Sequence, residues 1–296
     1  MRVFVTGATG FIGSAVVHEL LAAGHRVLGL ARSDEAAATL AGLGVDVQRG
    51  ELADTDSLAA GARACDGVIH TAFIHDFSTY EANAETDRRA LDALARALEG
   101  TGKPLVATSA TAVIASGGIG TELDAPMVEG HGRIRGASEA VLSAAEHGVR
   151  VSVVRLSPSV HGAGDHGFVP MLIGFARRTG FAAYVGDGAN RWPAVHRLDA
   201  ARLFRLALEK APAGSRLHGA AEEGVAMRAI AETIGAGLGL PVRSLTKDEA
   251  RAHFGWMANF VAIDNPVSSA ITRETMGWRP EQPGLLTDMR EAGYFS

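Results

Sequence analysis

The 296-residue sequence predicts an α/β fold, in which a doubly wound parallel sheet carries a smaller C-terminal lobe. Three observations predict it. A short apolar strand runs directly into a glycine-rich turn and a helix, strands then alternate with helices as far as residue 156, and the alternation loosens from residue 157 onward. Alternation of this kind produces right-handed crossovers, and these place the strands side by side in parallel.

The first stretch of the chain combines a strand, a turn and a helix. Residues 2–5 are apolar, with β-branched and aromatic side chains, which is typical of a buried strand. Gly7, Gly10 and Gly13 follow at three-residue spacing, and residues 14–21 place apolar side chains at helical spacing. In such a turn the glycines allow a tight bend, a close approach of phosphate groups and close packing of the helix. The free N–H groups at the helix start favour a pyrophosphate, so the stretch predicts a dinucleotide site.

The other elements of the first half follow in order. We predict strands at residues 26–31, 45–50, 67–72, 104–108 and 150–156, with helices at 35–43, 55–62, 81–99 and 133–147 between them. Ligands of such sheets bind beyond the C-terminal ends of the strands. The glycine turn, Arg32 and residues 51–52, 71–73 and 109–111 all fall at that edge.

The second half is less regular. We predict helices near 169–178, 199–210, 228–237 and 246–254, strands near 193–196 and 217–218, and then a polar tail. The expected division is a dinucleotide-binding domain over residues 1–156, to which a strand and a helix from about 193–210 return. The remainder of 157–296 is expected to form the lobe that binds the substrate.

The composition argues against several classes of partner. The net charge is −5 and no run of Lys or Arg stands out, so we do not expect nucleic acid to bind. No apolar run approaches the length of about 18 residues that a membrane span needs, and the first strand starts at residue 2, so we expect neither a membrane span nor a signal peptide. Cys65 is the single cysteine and the histidines lack metal-ligand spacing, so we expect no disulfide, no metal and a cytoplasmic location.

The end of the second strand bears on the choice of cofactor. An enzyme that prefers NAD places an acidic residue there to bind the ribose 2′-hydroxyl, whereas this strand ends in Ala31 and Arg32. A guanidinium can hold a 2′-phosphate with two hydrogen bonds, so we expect NADP rather than NAD. Two alternatives remain: Arg32 as a solvated surface residue, and Asp34 as a ribose ligand rather than a helix cap.

The sequence resembles a known family. Residues 6–13, TGATGFIG, resemble the TGxxGxxG signature of the extended short-chain dehydrogenases/reductases, the group of NAD-dependent epimerases and dehydratases. Further similar stretches are 50–52 (family GDL), 68–72 (VxHxAA), 106–111 (the strand of the catalytic Ser), 155–162 (RxxNVYG), 195–199 (VHVDD) and 276–280 (LGWxP). The resemblance implies a Rossmann fold. It also implies cofactor contacts from Gly7, Thr9, Gly10, Phe11, Ile12, Gly13, Arg32, Ser33, Glu51, Leu52, Thr71, Ala72, Phe73, Ser109, Pro158 and Val160.

The chain departs from the family at its catalytic pair. The family carries Tyr-x-x-x-Lys about 25 residues after the catalytic Ser, and this chain has Arg135 and Glu139 there. It therefore resembles the atypical members that keep the nucleotide site without the standard pair. An arginine, with a pKa above about 12, cannot pass a proton near neutral pH. The candidate catalytic residues are Ser109, Thr111, Arg135 and Glu139, and the alternative for the last two is an i,i+4 surface ion pair.

Another group must then supply any proton that the reaction needs. Candidates are His75, His131, His161, Tyr80 and Tyr184, although a single histidine is more often structural. His75, His131, His161, Phe168, Tyr184 and Trp192 are the expected substrate contacts, and Trp192 could equally pack in the core. An iminium or a conjugated acceptor would avoid the need for a strong acid.

The sequence thus predicts an NADP-dependent oxidoreductase that transfers hydride to or from a small organic carbonyl or imine. The alternatives are a sugar-nucleotide epimerase or dehydratase, and a binding protein that senses NADP(H) without catalysis. By resemblance to the family, the helices at 81–99 and 133–147 are expected to pair in a homodimer.

Overall fold

The computed structural model describes residues 1–114 and 117–296, apart from the side chains of residues 77, 130 and 131. In chain order the strands are β1 Arg2–Thr6, β2 Arg26–Ala31, β3 Asp46–Arg49, β4 Gly67–His70, β5 Pro104–Ala110, β6 Arg150–Leu156, β7 Ser159–His161, β8 Ala182–Val185, β9 Arg191–His196, β10 Ser215–Gly219, β11 Glu222–Ala226 and β12 Val242–Leu245.

The helices cover both faces of the sheet and build the second lobe. They are α1 Phe11–Ala22, α2 Asp34–Gly42, α3 Thr55–Arg63, α4 Tyr80–Ala97, α5 Gly130–Gly136, α6 Phe168–Thr179, α7 Arg197–Lys210, α8 Met227–Leu238, α9 Lys247–Phe254, α10 Ala258–Val261, α11 Ala270–Met276 and α12 Leu285–Glu291. Shorter 3₁₀ segments lie at Phe77–Thr79, Thr111–Val113 and Gly255–Met257, and a longer one continues α5 over Ala137–His147. No helix of the described residues is long and apolar enough to cross a membrane.

The main sheet confirms the predicted fold class. Its seven strands, within the described residues, run in the order β10-β6-β5-β4-β1-β2-β3, and all are parallel. The strand order reverses between β1 and β4, which pair in register with Val5 opposite Ile69 and Thr6 opposite His70. Ligands of such sheets bind at that reversal, beyond the carboxyl ends of the strands.

The apolar runs of the strands follow from this layering. Val3 and Val5 of β1 pack in the core beneath α1 and α7, and Phe4 packs in the core on the opposite face beneath α3 and α4. Strands buried on both faces are apolar at every position rather than at alternate ones, as residues 3–5 are.

The second lobe has its own core. Within it β7, β9 and β11 form one small sheet and β8 pairs with β12, and helices α6, α8 and α9 pack against them. Its largest fully buried side chains are Trp192 and Phe254.

The structure corrects two expectations about the second half. The strand expected to return to the main sheet near 193–196 belongs instead to the small sheet, where β9 pairs with β7 and β11, and the returning strand is β10. The returning helix is α7, which packs on α1. The tail also contains α10, α11 and α12, which are too short to give a clear periodic pattern.

Candidate functional site

The glycine turn after β1 is built by close backbone contacts. Gly7 has φ +69°, and a Cβ there would lie 2.7 Å from Ala72 N. A Cβ on Gly13 would lie 2.0 Å from the Gly7 carbonyl oxygen, so no side chain fits where α1 crosses the turn. The Gly10 N–H donates to the same oxygen at 2.9 Å. The chain can therefore make this tight bend only with glycines at positions 7 and 13.

The start of α1 leaves backbone donors for a ligand. Gly10 occupies the N-cap position of α1, so no side chain accepts hydrogen bonds from the first N–H groups of the helix. The first turn also carries no acidic residue. Thr9 beside it is exposed, and Phe11 and Ile12 are partly buried. The first N–H groups of a helix have no partners within it, and together with the helix dipole they attract an anion. We call the turn formed by Gly7, Gly10 and Gly13 the glycine cradle. Its exposed N–H groups fit the diphosphate of a dinucleotide.

The end of β2 is basic. Arg32 is exposed and forms no hydrogen bond or ion pair with the described residues. The Ser33 hydroxyl caps α2 by accepting from Ala36 N at 3.2 Å. Arg49, at the end of the neighbouring β3, donates to Ser33 O at 2.6 Å and to Asp34 Oδ1 at 2.7 Å. Asp34 is therefore the first residue of α2 and already paired, and Arg32 is left as the unpaired charge at this strand end.

The other expected cofactor contacts lie along the same edge. Glu51 is exposed, and Leu52 is half-buried against the core beneath α3 and α4. Pro158 lies between β6 and β7 and Val160 within β7, and both are half-buried. The Thr71 hydroxyl donates to Thr6 O at 2.8 Å and so fixes the end of β4 to the end of β1.

A buried polar chain runs behind the turn. Thr6 Oγ1 lies 2.9 Å from His70 Nδ1, and His70 Nε2 lies 3.0 Å from Asp87 Oδ1. Burial alone would raise the pKa of Asp87, but the Arg135 charge and the hydrogen bonds from His70 and Ser138 lower it to about 2. Because Asp87 is ionised, its carboxylate accepts a hydrogen bond from His70 Nε2.

Arg135 lies at the other end of this chain. Its Nη1 donates to Asp87 Oδ2 at 2.8 Å and to Ser138 Oγ at 2.9 Å, and its Nη2 donates to Thr108 O at 2.8 Å. The side chain is 12 % exposed and its guanidinium carbon lies 4.3 Å from the centre of the Phe73 ring. The guanidinium is thus held rigidly at the C-terminal ends of β4 and β5.

The side chains of His75, Tyr80 and Arg135 all contact the ring of Phe73. The ring centre lies 5.1 Å from that of His75 and 5.8 Å from that of Tyr80, and Arg135 covers its face. We call Phe73, His75, Tyr80 and Arg135 the Phe73 cluster. Partial burial and then the Arg135 charge lower the pKa of His75, and partial burial raises the pKa of Tyr80 against the lowering effect of Arg135. The cluster places a fixed cation beside two groups that can exchange protons.

Glu139 lies in a different environment. Its carboxylate accepts two hydrogen bonds of 2.7 Å from Arg155 and one of 3.0 Å from Arg216, and it is buried. Burial would raise the pKa of Glu139, but the hydrogen bonds and charge of Arg155 and the hydrogen bond from Arg216 hold it below its ordinary value. Both carboxylate oxygens of Glu139 accept hydrogen bonds from arginines, so Glu139 has a structural role in this buried ion cluster.

The alternative of a surface Arg135–Glu139 ion pair is therefore wrong. Arg135 pairs with Asp87, Glu139 pairs with Arg155, and both side chains are largely buried. The reason lies in the helix itself, since α5 ends at Gly136 and residues 137–147 form a 3₁₀ helix. With three residues per turn, positions i and i+4 no longer share a face.

Ser109 and Thr111 lie apart from Arg135. Ser109 is buried, its hydroxyl helps to hold the pKa of Glu139 below its ordinary value, and the residue pairs across the sheet with Arg155. The Thr111 hydroxyl is buried too and donates to Asn265 Oδ1 at 2.9 Å. Of the four candidate catalytic residues, the structure brings Arg135 alone into the Phe73 cluster.

The expected substrate contacts are dispersed. His161 is buried, with Nδ1 2.7 Å from Asp288 Oδ2, and Tyr184 lies beneath the Arg228 guanidinium at 5.1 Å. The side chain of His131 lies outside the described residues. His75 is the member of the set that joins the Phe73 cluster.

Trp192 and Phe168 pack in the second lobe. Trp192 is fully buried, and its ring centre lies 6.0 Å from Phe168 and 4.8 Å from Phe260. Of the two roles open to Trp192 from the sequence, core packing fits this position. Phe168 is half-buried at the start of α6.

Sequence reasoning missed Asp87, although the sequence contained a signal. Asp87 sits on the same helical stripe as Ala84, Leu91 and Leu94, all of which are buried. A carboxylate within an apolar stripe needs a buried partner, since an unpaired buried charge is very costly. Arg135 is that partner, and it lies 48 residues away in the chain.

The described residues contain no group of three or more His, Cys, Asp or Glu side chains that could hold a metal ion.

Known proteins resemble this chain along its whole length. An uncharacterised protein of Schizosaccharomyces pombe is 50% identical over 300 residues, which span all of both chains. A 4-hydroxy-2-methyl-3-oxo-4-farnesyl-3,4-dihydroquinoline-1-oxide ketoreductase of Stigmatella aurantiaca is 30% identical over 225 residues, 72% of this chain and 66% of its own.

A solved structure shows the same fold. A dTDP-glucose 4,6-dehydratase of Streptomyces venezuelae, with NAD bound, superposes with a TM-score of 0.79 at 22% identity and covers 100% of this chain and 96% of its own. The sequence model of the NAD dependent epimerase/dehydratase family matches residues 3–218. The chain therefore belongs to the NAD dependent epimerase/dehydratase family, as its glycine turn and strand order already indicated.

Proposed function

We propose that the protein is an NADP(H)-dependent oxidoreductase that transfers hydride to or from a small organic carbonyl compound. The observation that carries the proposal is the glycine cradle at the start of α1, beside a Phe73 cluster in which a fixed guanidinium stands in the position of the family's tyrosine. The ketoreductase relative at 30% identity supports redox chemistry at a carbonyl group.

The basic end of β2 supports NADP over NAD. Arg32 has no carboxylate partner among the described residues, and the nearby Asp34 is held by Arg49. A ribose 2′-phosphate would therefore meet an unpaired guanidinium, whereas the one nearby carboxylate of α2's first residue is already in an ion pair with Arg49.

Each residue of the site then has a definite role. The cradle of Gly7, Gly10 and Gly13 would hold the diphosphate and Arg32 the 2′-phosphate. A bound nicotinamide supplies or accepts the hydride. Arg135 stabilises negative charge on the substrate oxygen by hydrogen bonding, and it keeps its own proton. His75 or Tyr80, in the same cluster, gives that oxygen its proton.

The Arg135 charge also narrows the substrate class. A guanidinium donates hydrogen bonds to a developing alkoxide, or to the enolate formed from a conjugated carbonyl, whereas a cationic iminium has no lone pair to accept them. We therefore favour a ketone, an aldehyde or a conjugated carbonyl over an imine. The site has no phenol–ammonium pair at positions 135 and 139, so the chemistry of the sugar-nucleotide dehydratases and epimerases is less well supported.

Calorimetric titration with NADPH and NADH tests the cofactor proposal. We expect NADPH to bind at least about tenfold more tightly, since a charge-assisted hydrogen bond contributes about 1.5–3 kcal/mol. Arg32→Ala should remove this preference and leave NADH binding unchanged. Arg26→Ala is the matched control, because Arg26 lies at the opposite end of the same strand. Failure of the wild type to bind either dinucleotide would overturn the proposal.

Turnover with NADPH across ketones, conjugated carbonyls and cyclic imines tests the reaction. We expect oxidation of NADPH with at least one oxygen-containing class. Tight binding with no turnover across the panel would instead favour the NADP(H)-sensing alternative.

A further inference from the structure

Two parallel helices begin side by side at the ligand edge of the sheet. Phe11 opens α1 and Arg197 opens α7, and the Arg197 guanidinium carbon lies 5.2 Å from the centre of the Phe11 ring. Eight residues further along each helix, Arg205 Nε lies 2.7 Å from Glu19 Oε1. The helices therefore run in the same direction, and both present their N-termini at the edge where the glycine cradle lies.

Arg197 occupies an electrostatically unfavourable position. It stands at the first position of α7, where the helix dipole disfavours a cation. Among the described residues no carboxylate forms an ion pair with it, whereas the other arginines of α7 are paired, Arg202 with Glu281 and Arg205 with Glu19. The nearest acidic residue of its helix, Asp199, already accepts from the N–H groups of Glu281 and Gln282.

The position of Arg197 is nevertheless built by its surroundings. Gly162 has φ +138°, and a Cβ there would lie 3.1 Å from Arg197 Cγ, so the bare glycine makes room for the arginine chain. His166 approaches Phe11 from the second lobe, with ring centres 5.6 Å apart. A guanidinium and an imidazole thus flank Phe11, with no acidic residue in the first turn of α1.

The family pattern makes Arg197 a feature of this chain. Residues 195–199 resemble the family's VHVDD, which carries Val where this chain carries Arg197. A cation without an ion-pair partner, in place of an apolar residue and packed against Phe11 within the glycine turn, implies an anion that the protein itself does not provide.

We propose that Arg197, at the start of α7 and beside the glycine cradle, binds the diphosphate of the dinucleotide. This rests on the proposed function, since it takes the diphosphate to lie at the start of α1. The anion is then held between the N–H groups of α1 and the Arg197 guanidinium, and α7 contributes directly to cofactor affinity.

The test compares ligands with and without a diphosphate. NADPH and adenosine 2′-monophosphate are titrated into the wild type, Arg197→Val, Arg197→Lys and Arg202→Ala, with melting temperatures recorded without ligand. Val is the residue of the family pattern, and Arg202 is a control on the same helix that is already ion-paired.

We expect Arg197→Val to weaken NADPH binding by about tenfold or more and to leave binding of the monophosphate unchanged. The dependence of NADPH affinity on salt should also become shallower. Arg197→Lys should bind NADPH with intermediate affinity, because lysine keeps the positive charge but cannot donate two parallel hydrogen bonds as a guanidinium does. Arg202→Ala should bind NADPH as the wild type does.

Two results would overturn the inference: unchanged NADPH affinity in Arg197→Val, or an equal loss for both ligands, which would indicate a structural role for the side chain. A wild type that binds neither NADPH nor NADH would instead remove the proposed function, and the two failures are therefore distinguishable.

Discussion

At the scale of single residues, Arg135 changes what the site can do. A tyrosine in that position can give up a proton, whereas the guanidinium holds its protons and offers a permanent charge. Its hydrogen bonds to Asp87, Ser138 and the Thr108 carbonyl fix the direction of that charge. The site can therefore stabilise an oxyanion without moving a proton through residue 135.

Arg135→Lys tests this role. The variant keeps the charge but cannot reach Asp87, Ser138 and Thr108 O at once, so we expect kcat to fall by about 10²-fold while the dissociation constant of NADPH stays within about twofold. Arg133→Lys, on the exposed side of the same helix, is the control and should keep full activity. An unchanged kcat in Arg135→Lys would contradict the proposed role.

Asp87 links the site to acid stability. Its pKa is lowered to about 2 in the folded protein, below the ordinary carboxyl value of about 3.9. Such a group stabilises the fold above its unfolded-state pKa, and the contribution is lost as the pH falls through the folded-state value. We expect Asp87→Asn to be less stable than the wild type by about 2 kcal/mol near pH 7. The difference should shrink between about pH 4 and about pH 2.

Urea unfolding as a function of pH measures this difference. Asp92→Asn, in an exposed ion pair with Arg96 on the same helix, serves as the control and should cost less than about 1 kcal/mol at any pH. A difference for Asp87→Asn that stayed constant down to about pH 2 would argue against the assignment.

At the scale of elements, the packing of β1, the glycine turn and α1 requires positions that have no side chain. The Gly13 position admits no Cβ, because one would overlap the Gly7 carbonyl. Gly42, within α2, has open space around it and an ordinary helical backbone. The two glycines make a matched pair, in which one is required by packing and the other is free to change.

Gly13→Ala should therefore destabilise the protein by about 3 kcal/mol and weaken NADPH binding. Gly42→Ala should instead stabilise it by roughly 0.5–1 kcal/mol, since alanine is the better helix former. Thermal unfolding and calorimetry of both variants measure these effects. Tolerance of Gly13→Ala at wild-type stability would show that α1 can move away from the turn.

Element types were largely predictable from the sequence, and their partners were less so. The apolar run 2–5 and the glycine spacing predict β1, the turn and α1 because all the information is local. The pairing of Asp87 with Arg135 joins positions 48 residues apart, and no periodic pattern reports it. The 3₁₀ geometry of residues 137–147 likewise separated Arg135 from Glu139, although their spacing resembles that of an α-helical pair.

At the scale of the whole molecule, hydrogen bonds from the C-terminal segment hold the loop after β7, which lies beside Phe11 and Arg197. The Tyr294 hydroxyl donates to Asp165 Oδ2 at 2.8 Å and accepts from Gly162 N at 3.1 Å. Gly162 lies against the Arg197 side chain, and Asp165 directly precedes His166, whose ring approaches Phe11. Sequence reasoning gave the tail no role because its helices are short and its contacts span about half the chain.

Tyr294→Phe should thus loosen that loop. The variant leaves Asp165 Oδ2 and the Gly162 N–H without the tyrosine hydroxyl as a partner, at a cost of about 1–3 kcal/mol. For a chain of this length, each kcal/mol lowers the melting temperature by about 2–4 °C. Tyr184→Phe removes a hydroxyl that forms no hydrogen bond among the described residues, and it should melt as the wild type does. Equal melting temperatures for both variants would contradict a fastening role.

The polar chain from Thr6 through His70 and Asp87 to Arg135 has a consequence for how the protein assembles. Its members come from β1, β4, α4 and α5, and no two of these elements can satisfy the whole chain alone. A partly folded state would leave an imidazole or a carboxylate bare in an apolar interior. The glycine cradle and the Phe73 cluster should therefore unfold together as one cooperative unit. The amide hydrogens of β1 and β4 should then exchange with solvent at a common rate.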